Sequence, residues 1–257
     1  MRRLLFPGRA AATEISGRQW QATLESAAVL QLLSADEQDR LRLLSQDFLQ
    51  KKTFTGVDGL VVNDEMKRLV AAQACLLILE LDMAYFNGWV EIVIYPAAFF
   101  VERSVSDEAG VVSQQKQLLS GEAWSRGQVI LSWQDVMHDT QKAHAGHNLV
   151  LHEFAHKLDA QSGSANGMPP LHKDMSRQAW ADTLSHAYNR LVNRVEHNRH
   201  GYINDYAATN PAEYFAVLTE YFFTAPEILK KHCEKVYGQL ELFYRQQPIK
   251  RLYHHHS

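Results

Sequence analysis

Cysteine is scarce in this chain. Its two copies, Cys75 and Cys233, lie far apart, which excludes a disulfide scaffold and a cysteine-type zinc site. Cys75 stands in Ala74-Cys75-Leu76-Leu77-Ile78-Leu79 and reads as a small buried hydrophobe. The compartment expected is a reducing one, the cytoplasm. An excess of one charge is also missing. Lys and Arg number 26 against 29 Asp and Glu, a net charge of −3, so there is no general electrostatic footprint for nucleic acid or an anionic membrane. Neither is expected as a partner. No apolar run is long enough to span a bilayer. The longest, around Val70–Leu81, is interrupted by Gln73 and Glu80. The basic start, Met1-Arg2-Arg3-Leu4-Leu5-Phe6, meets Pro7 before it reaches the length of a secretory signal core. Internal repeats and low-complexity tracts are lacking too, which argues against a solenoid or a long linker.

What is present fits an ordinary globular protein. At 257 residues, 46% apolar and 21% charged, the chain can bury a sizeable core. Residues 1–20 are expected to be poorly ordered. A single domain is expected over 21–250, with a helical part at about 21–85 and a second part, holding the candidate functional residues, at about 86–250. Residues 251–257 would be a tail. Ser34-x-x-Glu37 is a capping box ahead of Leu41, Leu44 and Phe48, so a helix is predicted over 35–50. Another is predicted over 64–81, apolar on most faces and therefore buried.

Trp89-Val90-Glu91-Ile92-Val93-Ile94-Tyr95, stopped by Pro96, reads as a strand, as does Gln128-Val129-Ile130-Leu131-Ser132-Trp133. The polar segment 102–127 has room for short strands. Helices are predicted over 148–160, 174–196, from Asn210-Pro211 to near Pro226, and over 227–246. In the third of these, Asn suits the cap and Pro the first helical position. The fold class expected is α+β: mostly helical, with a small mixed sheet preceding the helix at 148–160.

That helix contains His152-Glu153-Phe154-Ala155-His156, an H-E-x-x-H string. Residues four apart share a helix face, so both imidazoles can reach one metal ion, and Glu153 can handle a water beside it. Leu149, Val150, Leu151, Phe154, Ala155 and Leu158 surround them. Burying three ionisable groups together is costly unless something such as a metal compensates.

A catalytic zinc takes a third protein ligand. The residues after His156 are Lys157-Leu158-Asp159-Ala160-Gln161-Ser162, and His172 breaks the spacing of a third-histidine motif. Glu213 and Glu220 on the later helix are better placed, and at seven apart both can face the motif helix. A first-turn Glu213 also suits the helix dipole, and Glu220 also suits a buried ion pair. Asp159 lies near the face of both histidines and, like Glu220, is a candidate acceptor for an imidazole N–H. Trp133 and the strand before it are a candidate edge for a peptide, although core packing explains Trp133 as well. His138, His144 and His147 are not assigned to the site, nor is the terminal run His254-His255-His256.

The string from His152 to Asp159, followed by Tyr206-Ala207-Ala208-Thr209-Asn210-Pro211-Ala212-Glu213-Tyr214-Phe215-Ala216-Val217-Leu218-Thr219-Glu220-Tyr221-Phe222-Phe223, resembles the Mlc titration factor A family of bacterial cytosolic zinc peptidases. Gly88–Pro96 and Gly127–Trp133 share in the likeness, which covers about residues 25–250. The resemblance implies a gluzincin-type zincin domain. His152, His156 and Glu213 would be the Zn2+ ligands and Glu153 the general base. The family is also similar to the catalytic domain of anthrax lethal factor, where a Tyr seven residues before the ligand Glu faces the metal. Tyr206 holds that position and would donate to a developing oxyanion, its alternative role being packing. The activity implied is aminopeptidase-like hydrolysis of short peptides. The partner implied is an Mlc-type transcriptional repressor of glucose-uptake genes. An alternative reading makes repressor sequestration the main function and peptidase activity secondary.

Overall fold

Side-chain caps decide where most of the helices begin. In a computed structural model, backbone is described for residues 14–97, 99–106, 112–119, 121–123, 127–141 and 146–254, and side chains for 14–97, 127–140, 146–161 and 163–253. Ser16 opens α1 (Gly17–Ser26), and α2 (Ala28–Gln31) follows without a side-chain cap. Ser34 opens α3 (Ala35–Lys51) through the expected reciprocal box with Glu37. Asn63 accepts from Met66 N–H to start α4 (Asp64–Leu77). This helix is shorter than the apolar run suggests. It ends at Leu77, and residues 78–81 turn back.

The strands are β1 (Thr53–Gly56), β2 (Glu91–Tyr95), β3 (Phe99–Ser106), β4 (Val112–Leu119), β5 (Gly121–Ala123) and β6 (Val129–Ser132). They form a mixed sheet in the order β1-β2-β6-β5, parallel except for β5, and a separate antiparallel pair β3-β4. The α+β class, helix-rich with a small mixed sheet ahead of the motif helix, is therefore as expected. The placing of β6 corrects the peptide-edge reading. β6 is paired on both sides, and β5 takes the edge. The strand also stops at Ser132. Trp133 instead heads α5 (Trp133–Gln141) and is half-buried against the core.

The rest of the described chain is helical between loops: α6 (Leu149–Asp159), α7 (Arg177–Glu196), α8 (Pro211–Thr224), α9 (Pro226–His232), α10 (Glu234–Tyr244) and α11 (Pro248–His254). Three expectations are corrected here. The segment expected to be disordered includes Ile15 and Trp20, both buried, and α1 already starts at Gly17. The helix expected over 227–246 is broken at Cys233, whose φ −139° and ψ 49° cannot continue a helix. The expected tail begins inside α11, where Arg251 Nη2 meets Glu37 Oε1 at 2.7 Å and anchors the C-terminal end to α3.

One hydrophobic core joins α3, α4, the sheet, α6, α8 and α10. Beneath the motif helix it is aromatic. Phe154 lies with its ring centroid 5.7 Å from Phe48, 5.3 Å from Phe86 and 5.6 Å from Trp89. Two positions beyond His152, Phe154 points roughly the opposite way across the helix. The apolar anchor and the polar face of α6 are thus set by the same five residues.

Candidate metal centre

The site is built where two capped helices meet. Asn148 caps α6, accepting from Leu151 N–H at 2.9 Å. Its Nδ2 donates to Gln73 Oε1 on α4 at 2.7 Å. One turn apart on α6, His152 and His156 bring their Nε2 atoms to 3.2 Å. Asn210 caps α8, accepting from Glu213 N–H at 3.0 Å, with Pro211 as the first helical residue. This start places Glu213 so that its Oε2 is 3.0 Å from His152 Nε2 and 3.3 Å from His156 Nε2. The three candidate ligand atoms all lie within 4.8 Å of one another. Two imidazole nitrogens and one carboxylate oxygen converging on one point make the three-ligand donor set of a catalytic divalent metal. The residues present fit such an ion.

Of the two candidates for the third position, Glu213 converges and Glu220 stands behind. Glu220 Oε1 is 2.7 Å from His152 Nδ1, and its Oε2 accepts from Asn148 N–H at 2.7 Å. A carboxylate against Nδ1 makes that nitrogen the donor and frees Nε2 to act as a ligand. Burial works to lower the His152 pKa, but Glu220 and Glu213 outweigh it and hold the value well above the usual one. Asp159, the other candidate, is buried and accepts from Gly167 N–H at 2.7 Å. It ties down the loop after the motif helix, and Glu220 is the carboxylate on His152.

Glu153 is 2% exposed, and its Oε2 has no hydrogen-bond partner among the described residues. Burial pushes its carboxyl up to about 7, against the pull of His152 and His156. An acid poised there can take a proton and return it near neutral pH. Tyr206 sits in a 3-10 turn, Asp205–Ala208, held by Asn204, whose Oδ1 accepts from Tyr206 N–H at 2.9 Å. Its ring centroid is 6.1 Å from that of His152, and at 52% exposure it borders the solvent side of the cluster. Burial and then Glu213 raise its phenol pKa above the ordinary value.

Among the described residues, the other histidines considered in the sequence lie elsewhere. His138 is beside Asp139, His147 Nε2 is 3.1 Å from Asn204 Nδ2, and His172 Nε2 donates to Phe243 O. His144 lies outside the described residues. Sequence reading missed the bracket behind the site, Gln73 and Asn148. Its one signal was Gln73 itself, a polar residue within the otherwise apolar run from Leu69 to Leu77. It also missed Gly146, which has φ +80° and lies against the Tyr221 ring, where a Cβ would come within 2.2 Å. Only glycine allows that approach between the start of α6 and α8.

A buried H-E-x-x-H helix completed by a glutamate from a later helix is the arrangement of a metallopeptidase. The family comparison agrees. The chain belongs to the glucose-regulated metallo-peptidase M90 family, whose model matches residues 3–245. It is 37% identical over 238 residues to Mlc titration factor A of Yersinia pestis (strain Pestoides F), covering 91% of this chain and 86% of that protein. The match to Mlc titration factor A of Yersinia pseudotuberculosis serotype O:1b is of the same extent. An uncharacterized protein of Synechocystis sp. is 37% identical over 232 residues, 90% of this chain and 84% of its own length.

Proposed function

We propose that this protein is a zinc-dependent peptidase of aminopeptidase type, with His152, His156 and Glu213 as ligands, Glu153 as general base and acid, and Tyr206 as oxyanion donor. The observation that carries this is the convergence of three ligand atoms beside a buried carboxyl that has an unpartnered oxygen. Bound zinc would supply Lewis-acid chemistry, polarising a carbonyl and acidifying a water. Glu153 Oε2 takes the proton of the water whose oxygen attacks the scissile carbonyl carbon. Tyr206 Oη donates to the carbonyl oxygen as negative charge gathers there. The C–N bond then breaks, and Glu153 returns the proton to the leaving nitrogen. Glu220 holds the His152 ring through these steps. Among the described residues β5 is paired on one side only, and its other edge, on a strand next to α6, suits an extended peptide lying as an added strand.

The test is hydrolysis of amino-acid arylamides and short peptides, before and after chelation. Glu153→Gln should keep zinc and lose hydrolysis, and a fully active variant would overturn the assignment. Tyr206→Phe should lower kcat by about 10²–10³ with little change in KM, the size expected for one oxyanion donor. A KM effect alone would assign Tyr206 to substrate binding.

A second reading is favoured by the name of the Yersinia relatives. In it the protein binds an Mlc-type repressor and so affects glucose-uptake genes. Capture of purified Mlc by both wild type and His152→Ala would put the two activities on separate surfaces. Failure of the wild type to capture it removes this reading and leaves the peptidase intact. The location proposed is the cytoplasm, where free Cys75 and Cys233 suit a reducing medium. No helix among the described residues is long and apolar enough to cross a membrane.

A further inference from the structure

A cavity of about 640 Å³ lies between α7, Tyr202-Ile203, Tyr214 of α8 and the break between α9 and α10. That volume is within the range of small-molecule sites. The break at Cys233 helps to form it. A continuous helix would run past this point, but the chain turns and leaves His232 and Cys233 as one wall.

The lining has one sign of charge. Arg190 and Arg194, four residues apart on α7, both line the cavity, as do His186 and His232, and no carboxylate does. Among the described residues neither arginine is paired with a carboxylate. Arg194 is held in place. Its Nη2 donates to His200 O at 3.1 Å, and its guanidinium lies against bare Gly201, where a Cβ would come within 2.8 Å of Nη2. One N–H is thereby used, and a guanidinium has five. The other wall is flat. Tyr202 and His232 stack with centroids 3.5 Å apart and planes 12° from parallel, while Tyr202 stays 60% exposed.

Two guanidinium groups one turn apart on α7, that of Arg194 held in place, beside a stacked ring pair match a ligand with an oxyanion at one end and a planar ring at the other. We propose that this cavity is a second ligand site, separate from the metal centre, for a small aromatic oxyanion held by Arg190 and Arg194 and stacked against Tyr202–His232. The oxyanion can be a phosphate or a carboxylate, since the guanidinium fork serves either.

Calorimetric titration of the full-length protein with phenyl phosphate, benzoate and inorganic phosphate tests this. Phenyl phosphate or benzoate should bind with one-to-one saturation, and the tighter of the two identifies the oxyanion. Arg190→Ala and Arg194→Ala should each weaken it about tenfold, the loss of one charge-assisted contact. Both side chains are on the exposed side of α7, so the variants should fold, with unchanged circular dichroism. Tyr202→Ala should weaken the aromatic ligands and leave inorganic phosphate unchanged. Cys233, half-buried in the wall, gives an independent readout, because Cys75 is fully buried. A bound ligand should slow alkylation of Cys233, followed by mass spectrometry. No saturation below ~10 mM, a Kd so weak that the fork contributes nothing specific, would overturn the proposal. So would unchanged binding in both arginine variants, or undiminished alkylation at saturation.

Discussion

Replacing Glu220 with glutamine tests whether the carboxylate behind His152 governs the site. The substitution keeps shape and volume and removes one charge. At present both oxygens accept, one from His152 Nδ1 at 2.7 Å and one from Asn148 N–H at 2.7 Å. Glutamine has a single oxygen and an NH2 group, so it satisfies one donor and turns a second donor toward the other. If the oxygen keeps Asn148, the His152 ring loses its orienting acceptor. Loss of such an outer partner weakens metal affinity roughly 10- to 100-fold, about 1.4–2.8 kcal/mol. That range agrees with about 1.5–3 kcal/mol for a hydrogen bond to a charged group. If the oxygen instead keeps His152, the buried Asn148 N–H is orphaned, and the metal-free protein loses about 1–3 kcal/mol of stability. Zinc competition against a chromophoric chelator reads the first outcome, and denaturant unfolding of the metal-free protein reads the second. A variant with zinc affinity within about twofold of wild type and unchanged stability would refute the reasoning, because one donor must go unmatched.

Phe154→Ala should cost about 3–5 kcal/mol in denaturant unfolding, since it empties a ring site packed by Phe48, Phe86 and Trp89. A loss below about 1 kcal/mol would mean that the aromatic cluster does not anchor α6. Lys52 predicts a pH dependence. Its Nζ donates to Trp89 O at 2.6 Å and lies 3.6 Å from the Trp89 ring centroid. Burial, then Lys157, lowers its pKa from 10.5 to about 8. Between those values the unfolded chain holds the extra proton, so stability rises with pH there. Wild type should therefore gain on Lys52→Met as pH climbs from 8 to 10.5, and a flat difference in unfolding free energy would refute the assignment.

The parts of this protein that were legible in sequence are those with local causes. Ser34-x-x-Glu37 and Asn210-Pro211 declare helix starts by side-chain chemistry alone, and both form as read. His152 and His156 needed only a helix to share a face, with Glu153 beside them, and α6 provides it. Glu213 is different. Its distance in sequence from His156 is set by how α8 packs on α6, so residue reading left Glu213 and Glu220 as alternatives and only family likeness separated them. The missed features are tertiary. Thr53–Gly56 is too short to announce a strand and forms by pairing with β2. The break at Cys233 has no glycine or proline to mark it. Trp133 followed a strand-like run, but β6 ends at Ser132 and Trp133 opens α5.

The hydrogen bond from Asn148 to Gln73 has a consequence for modularity. All three candidate ligands and the base come from the second half of the chain, so a fragment starting near residue 86 would hold every reactive group. It would lack α4, and with it the amide that meets the cap of the motif helix, as well as Phe48, which packs under Phe154. Grafting residues 148–224 onto another scaffold would carry the reactive groups but not the support that orients them. The early helices are not a removable accessory, because α3 and α4 supply contacts that the motif helix rests on.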